Sequence, residues 1–220
     1  MSVTPTKPLT PRQSLLTVGL AIATLLLGLI PTAEADDAAL YARKAPPGSA
    51  FIRIFNNSHA HTQQAAINNL SLKASGKFNT SPYQFLPAKQ YQLTLAGITI
   101  PVSLEPDHAY TFYLDATDNI VTVEGAIFKN KRKALIEFYN LTSTPLTLKT
   151  SDGKVTVIEP VSPQSRGFRE INAVNLGLSA FAEGRKLADA KPIQLKRAQI
   201  FSLFAISTSP TKPALFWATN

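Results

Sequence analysis

FIRIFNNS, residues 51–58, returns in altered form as LIEFYNLT at residues 135–142. In the first version Phe51, Arg53 and Phe55 alternate with Ile52 and Ile54, and both sets are largely apolar. A strand of that kind is covered on both faces, or nearly so, as in the middle of a sandwich. A second pair of blocks follows the first. Residues 101–113 (PVSLEPDHAYTFY) align without a gap on residues 192–204 (PIQLKRAQIFSLF), sharing the Pro, a Leu, and an aromatic followed by a hydroxyl residue. Likeness at the start and the end of each half points to a duplicated β module. The alternative is two unrelated β halves with common strand chemistry. Between the halves, residues 128–133 read FKNKRK, with Lys129, Lys131, Arg132 and Lys133 placing four cations within five residues.

The remaining segments supply short strands. Tyr91, Leu93 and Leu95 face inwards while Gln92 and Thr94 face out, and Ala96-Gly97 turns the chain into residues 98–104. Pro101 there belongs at an edge or bulge, because it cannot donate a ladder hydrogen bond. Residues 110–114 and 120–123 complete the first set. In the second half Leu146 and Leu148 share a face, Ser151-Asp152-Gly153 turns, and Val155 and Val157 are expected to return on that face. Val174, Leu176 and Leu178 form the next inward set, with a Glu183-Gly184 turn, and residues 200–206 are the most apolar strand. The expected fold is all-β: two small β-sandwich-like domains in tandem, residues 36–127 and 134–220, joined by the basic linker 128–133.

The 220 residues are 45% hydrophobic and 16% charged, enough for one large or two small cores. With no cysteine, disulfides, thiolate metal sites and Cys nucleophiles are excluded. The net charge of +8 is uneven. Residues 36–126 hold 6 Lys+Arg against 7 Asp+Glu (−1), whereas residues 127–220 hold 14 against 6 (+8). That split predicts an acidic partner for the second half. At the N-terminus, Lys7 and Arg12 precede an apolar run over residues 15–30, then Pro31 and Ala33-Glu34-Ala35. This reads as a secretory signal peptide, residues 1–35, cleaved after Ala35, in preference to an uncleaved membrane anchor. The mature protein is expected to be exported and soluble.

Candidate chemistry is sparse. His59 and His61 share a face if extended, but no Asp, Glu or Cys lies near them, and no metal or cofactor is expected. Asp107-His108 reads as turn chemistry, since adjacent residues in an extended chain point apart and Ala198-Gln199 stand at the aligned positions. No Gly-x-Ser-x-Gly elbow appears, and all three histidines lie in the first half, so no catalytic residue is assigned. Arg166 and Arg169, in a Pro-flanked loop, could clamp carboxylates or be a solvated basic surface with Arg169 paired internally to Glu170 or Glu137. Lys129, Lys131, Arg132 and Lys133, with Arg166 and Arg169, are the candidate residues for binding a protein partner or a polyanion.

Asp37-Ala38-Ala39-Leu40-Tyr41, the run from Ala45 to Phe51, Phe128-Lys129-Asn130-Lys131, the run from Leu146 to Thr150 and the run from Arg166 to Asn172 resemble the AlgF family of alginate biosynthesis proteins. The resemblance spans essentially the whole mature chain, in order; the N-terminal extension and a longer polar stretch over residues 56–77 depart from it. It implies a periplasmic protein required for O-acetylation of alginate, an anionic uronic-acid exopolysaccharide. The implied partners are the periplasmic acetyltransferases AlgJ and AlgX and, beside them, alginate itself. Nucleic acid is not expected, and membrane contact is expected only through other components. An adaptor role is preferred on the residues above; the alternatives are an alginate-binding module or an acetyl-transferring enzyme in the same pathway.

Overall fold

Alternating apolar residues drive this chain into strands, and among the described residues of the computed structural model 16 of 18 strands form the sheets of two sandwiches. The structure describes Met1 and residues 45–58, 60–209 and 212–218. The leader beyond Met1, residues 36–44 and His59 lie outside the described residues. The first half comprises β1 (Ser49–Ile54), β2 (Thr62–Ile67), β3 (Leu70–Ser75), β4 (Gln84–Pro87), β5 (Gln90–Leu95), β6 (Ile98–Ser103), β7 (His108–Leu114) and β8 (Ile120–Ala126). The second comprises β9 (Ala134–Leu141), β10 (Leu146–Thr150), β11 (Thr156–Val161), β12 (Ser165–Ile171), β13 (Asn175–Leu176), β14 (Leu178–Ala182), β15 (Arg185–Asp189), β16 (Ile193–Gln194), β17 (Ile200–Ser209) and β18 (Lys212–Trp217).

The sheet orders repeat. An inner sheet β4-β1-β7-β8 and an outer sheet β3-β2-β5-β6 in the first half match β12-β9-β17-β18 and β11-β10-β14-β15 in the second, which adds a β13-β16 ladder. In each inner sheet the first and penultimate strands pair in parallel, Phe51 opposite Ala109 and Leu135 opposite Ile200. These four residues are the ones aligned between the repeats. Parallel neighbours need a long crossover, and the outer-sheet strands are that crossover. The turns repeat as well: Asp107 (φ 59°) and the aligned Ala198 (φ 61°) both adopt the left-handed conformation.

One asparagine organises the end of each first strand in the same way. Asn56 Nδ2 donates to Ala60 O and Gly76 O, and its Oδ1 accepts from Ser58 Oγ. Asn140 Nδ2 donates to Thr144 O and Val161 O, and its Oδ1 accepts from Thr142 N and Oγ1. Each ties its strand end to the loop four residues on and to a distant strand.

Each sandwich has its own core between inner and outer sheet: Ile52, Ile54, Leu72, Leu93 and Phe112 in the first, Ile136, Phe138, Leu148, Leu178 and Leu203 in the second. The opposite faces of the two inner sheets meet in a third core of Phe55, Tyr113, Val123, Tyr139, Phe204 and Ile206. Phe55 stacks on Phe204 at 3.9 Å between centroids, and Tyr139 stacks on the same ring at 4.5 Å. β1 is therefore buried at every residue, as its doubly apolar pattern demands.

Several expectations are corrected. The polar stretch over residues 56–77 contains the β2–β3 hairpin, whose inward positions are Ala65, Ile67, Leu72 and Ala74. Arg166 and Arg169 lie on β12, paired along its length to β9, rather than in a loop. Val155 is 55% exposed because β11 starts only at Thr156, after a turn closed by mutual hydrogen bonds between Thr150 and Val155. Val174, in the link between β12 and β13, is also largely exposed.

Candidate functional site

Arg53 and Glu137 occupy equivalent positions in the two repeats and meet at the centre of the third core, 3.1 Å apart and both buried. Arg53 also donates from Nε to Thr111 Oγ1 at 2.9 Å and from Nη2 to Tyr139 Oη and Ser202 Oγ, both at 3.0 Å. Ser202 in turn donates to Glu137 Oε2 at 2.7 Å. The other carboxylate oxygen takes Arg166, from Nη2 at 2.7 Å and Nε at 2.9 Å. Burial alone would push the Glu137 carboxyl up, but the Arg166 and Arg53 guanidiniums and the Ser202 hydroxyl together hold it below the usual glutamate range. Burial and then the adjacent Glu137 charge raise the Tyr139 phenol. This cluster clamps the modules together.

Arg166 is thereby removed from the candidate binding set. Its side chain is 6% exposed, bonded to Glu137 and lying over the Phe168 ring at 4.8 Å, so no ligand carboxylate reaches it without breaking the clamp. Arg169 is surface-exposed, and its Nη1 donates to Thr156 O at 2.8 Å and Val157 O at 3.2 Å. The two arginines do not converge on one ligand.

Lys129, Lys131, Arg132 and Lys133 remain at the surface. Lys129 Nζ lies 3.6 Å from Asp107 Oδ1, and Asn130 Nδ2 donates to Glu170 Oε2 at 2.6 Å, so the join is pinned to both halves. Lys133 O accepts from Ala198 N at 2.8 Å, which brings exposed Arg197 beside the join. Under this segment lies a pocket of about 380 Å³, lined by Pro46, Pro47, Phe51, Ile127, Phe128 and Ile200 among others, with Lys129 and Lys131 on its wall. The charge run marks the site in the sequence. Its apolar floor does not show there, because the residues come from three separated stretches.

His108 Nδ1 lies 2.6 Å from Glu124 Oε1 across β7 and β8. The hydroxyls of Ser49, Ser58, Ser81, Ser165 and Ser202 donate to backbone carbonyls, an amide oxygen or a carboxylate. Among the described residues no three His, Asp or Glu side chains are grouped to hold a metal ion.

A family model described as "Alginate O-acetyl transferase AlgF" matches residues 18–202. The chain belongs to the AlgF family. The "Alginate biosynthesis protein AlgF" of Azotobacter vinelandii is 38% identical over 199 residues, 90% of this chain and 91% of its own length. The AlgF of Pseudomonas aeruginosa is 38% identical over 185 residues, 84% of this chain and 85% of its own. Among solved structures, the C-terminal domain of P. aeruginosa AlgF is 41% identical, covers 41% of this chain and all of that chain, with a TM-score of 0.38. Its N-terminal domain is 25% identical over 37% of this chain and 98% of that one, with a TM-score of 0.32. Membership in AlgF places the chain in alginate biosynthesis, among proteins of alginate O-acetylation.

Proposed function

We propose that the protein is a non-catalytic periplasmic adaptor for alginate O-acetylation, holding acetyltransferase components through the basic join. The observation that carries the reading is the join itself. Two sandwiches are clamped by a buried ionic cluster, and the segment between them exposes Lys131, Arg132 and Lys133 beside an apolar pocket. A protein surface can meet both features at once, with charge steering encounter and apolar area retaining the complex. Serine acyl transfer needs a hydroxyl within reach of a base, and the hydroxyls named above donate to acceptors other than a histidine. Export rests on the leader, residues 1–35, and AlgJ and AlgX are partners by family resemblance.

The test is to capture AlgJ, AlgX and alginate separately on the immobilised mature protein, at low and near-physiological salt. The acetylation proteins should bind, and part of that affinity should survive salt. Replacing Lys129, Lys131, Arg132 and Lys133 by Ser should slow association. Binding of alginate alone, or loss of all protein binding at physiological salt, would sink the adaptor reading.

A further inference from the structure

The pocket beneath the join combines two properties that a polyanion site does not need together. Its floor is apolar, built from Phe51 and Ile200 at the ends of the parallel strands, Ile127 and Phe128 from the join, and Pro46-Pro47 from the entry turn. Its surroundings are cationic: Lys129 and Lys131 on the wall, with Arg132, Lys133 and Arg197 adjoining. The acidic groups nearby are Asp107, 3.6 Å from Lys129, and Glu170, engaged by Asn130. They leave the cations in excess.

We propose that this pocket is a docking socket for a partner protein's acidic segment carrying a large apolar side chain at its centre. The inference rests on the adaptor reading and names the chemistry of its contact. A uronate residue pushed onto the Phe51, Phe128 and Ile200 floor would lose water from its hydroxyls and find apolar surface beneath them. A large apolar side chain has no polar group to strand there, and a few well-packed anchors seated in pockets carry most of the energy of protein interfaces. The flanking carboxylates meet the cationic rim, which favours encounter and rejects basic segments.

The probe is a fluorescein-labelled peptide of Asp and Glu residues with a central Leu-Phe pair, titrated by anisotropy against the mature protein. Control peptides carry Ser-Ser at the centre, or Lys in place of every acid. Losing either the apolar pair or the acids should weaken binding at least tenfold. Ala45→Trp, which fills the pocket from its rim, and Phe128→Ser should each weaken the parent peptide at least fivefold, with thermal unfolding confirming that both variants fold. Lys131→Glu should weaken it at least threefold and leave the salt-resistant fraction in place. Equal binding of the Ser-Ser peptide, unchanged affinity in both pocket variants, or displacement by a short oligouronate as strongly as by the peptide would overturn the proposal. So would a tenfold gain on deleting residues 36–44, which would assign the pocket to the chain's own N-terminal segment. If AlgJ or AlgX binds wild type and both pocket variants equally, the socket falls and the adaptor stands. If neither binds wild type, the adaptor falls too.

Discussion

Glu137 is in contact with two guanidiniums that have left water, Arg53 at 3.1 Å and Arg166 at 2.7 Å. Removing the carboxylate takes this counter-charge from both buried guanidiniums, so Glu137→Ala should cost roughly 3–5 kcal/mol in urea unfolding. A triple replacement of Arg53, Glu137 and Arg166 by Met, Leu and Met should recover most of that, since apolar residues of similar size often match a buried ionic set. A triple variant as unstable as Glu137→Ala would contradict this account. The same carboxyl also sets an acid limb. Its proton affinity is lower in the folded than in the unfolded chain, so its contribution is complete above the ordinary glutamate range, about pH 4.3. It is lost as pH falls from there through the folded value. Asp115, Asp152 and Asp189 are depressed too, which makes the comparison with Glu137→Gln the informative one. Wild type should lose stability more steeply than Glu137→Gln below about pH 4.3; parallel curves would assign the limb to the aspartates.

At the level of strands and turns, each repeated asparagine replaces a stretch of ladder with side-chain hydrogen bonds. Asn140→Ala would take the side-chain donor from the buried Val161 carbonyl and one of two from the Thr144 carbonyl, at a cost of about 1–3 kcal/mol. Ala198 carries the opposite lesson. Asp107 tolerates its left-handed φ, as Asp and Asn do, but Ala at the matching turn is strained. Ala198→Gly should therefore raise the melting temperature, by the equivalent of about 0.5–1 kcal/mol; a lowered one would mean that the methyl's packing outweighs the strain. The repeat blocks made strands and their pairing in two halves legible, because buried strands cannot vary their apolar pattern freely. The β2–β3 hairpin was not legible, since alanines fill half of its inward positions and give little alternation. The clamp left a signal that can be recognised afterwards: opposite charges, Arg53 and Glu137, at one aligned position of a strand covered on both faces. A buried arginine is costly without a partner, and the partner stood in the other repeat.

For the whole molecule, two complete cores joined by a third predict graded behaviour. Residues 36–127 and 134–220, expressed apart, should each unfold cooperatively from their own cores, and mixing them should raise both midpoints as Phe55, Tyr113, Tyr139 and Phe204 are covered again. Absence of a transition in both halves would mean that the third core is required for either sandwich to form. Turnover of an activated acetyl ester is not expected from the intact protein. Activity lost in His108→Ala would give the His108–Glu124 pair a catalytic role after all.

The sign difference between Arg53 and Glu137 also governs what this chain can do with copies of itself. Two first halves brought face to face would set Arg53 against Arg53 with no Glu137 between them, whereas each second half carries its Glu137 already paired to its own Arg166. Only unlike halves restore the Arg53–Glu137 contact. A molecule whose halves separate can thus exchange them with a neighbour, first half to second half, and recover every clamp contact in a domain-swapped dimer. Pairing of two first halves through the same face would leave Arg53 facing Arg53, so charge favours the exchange over that pairing.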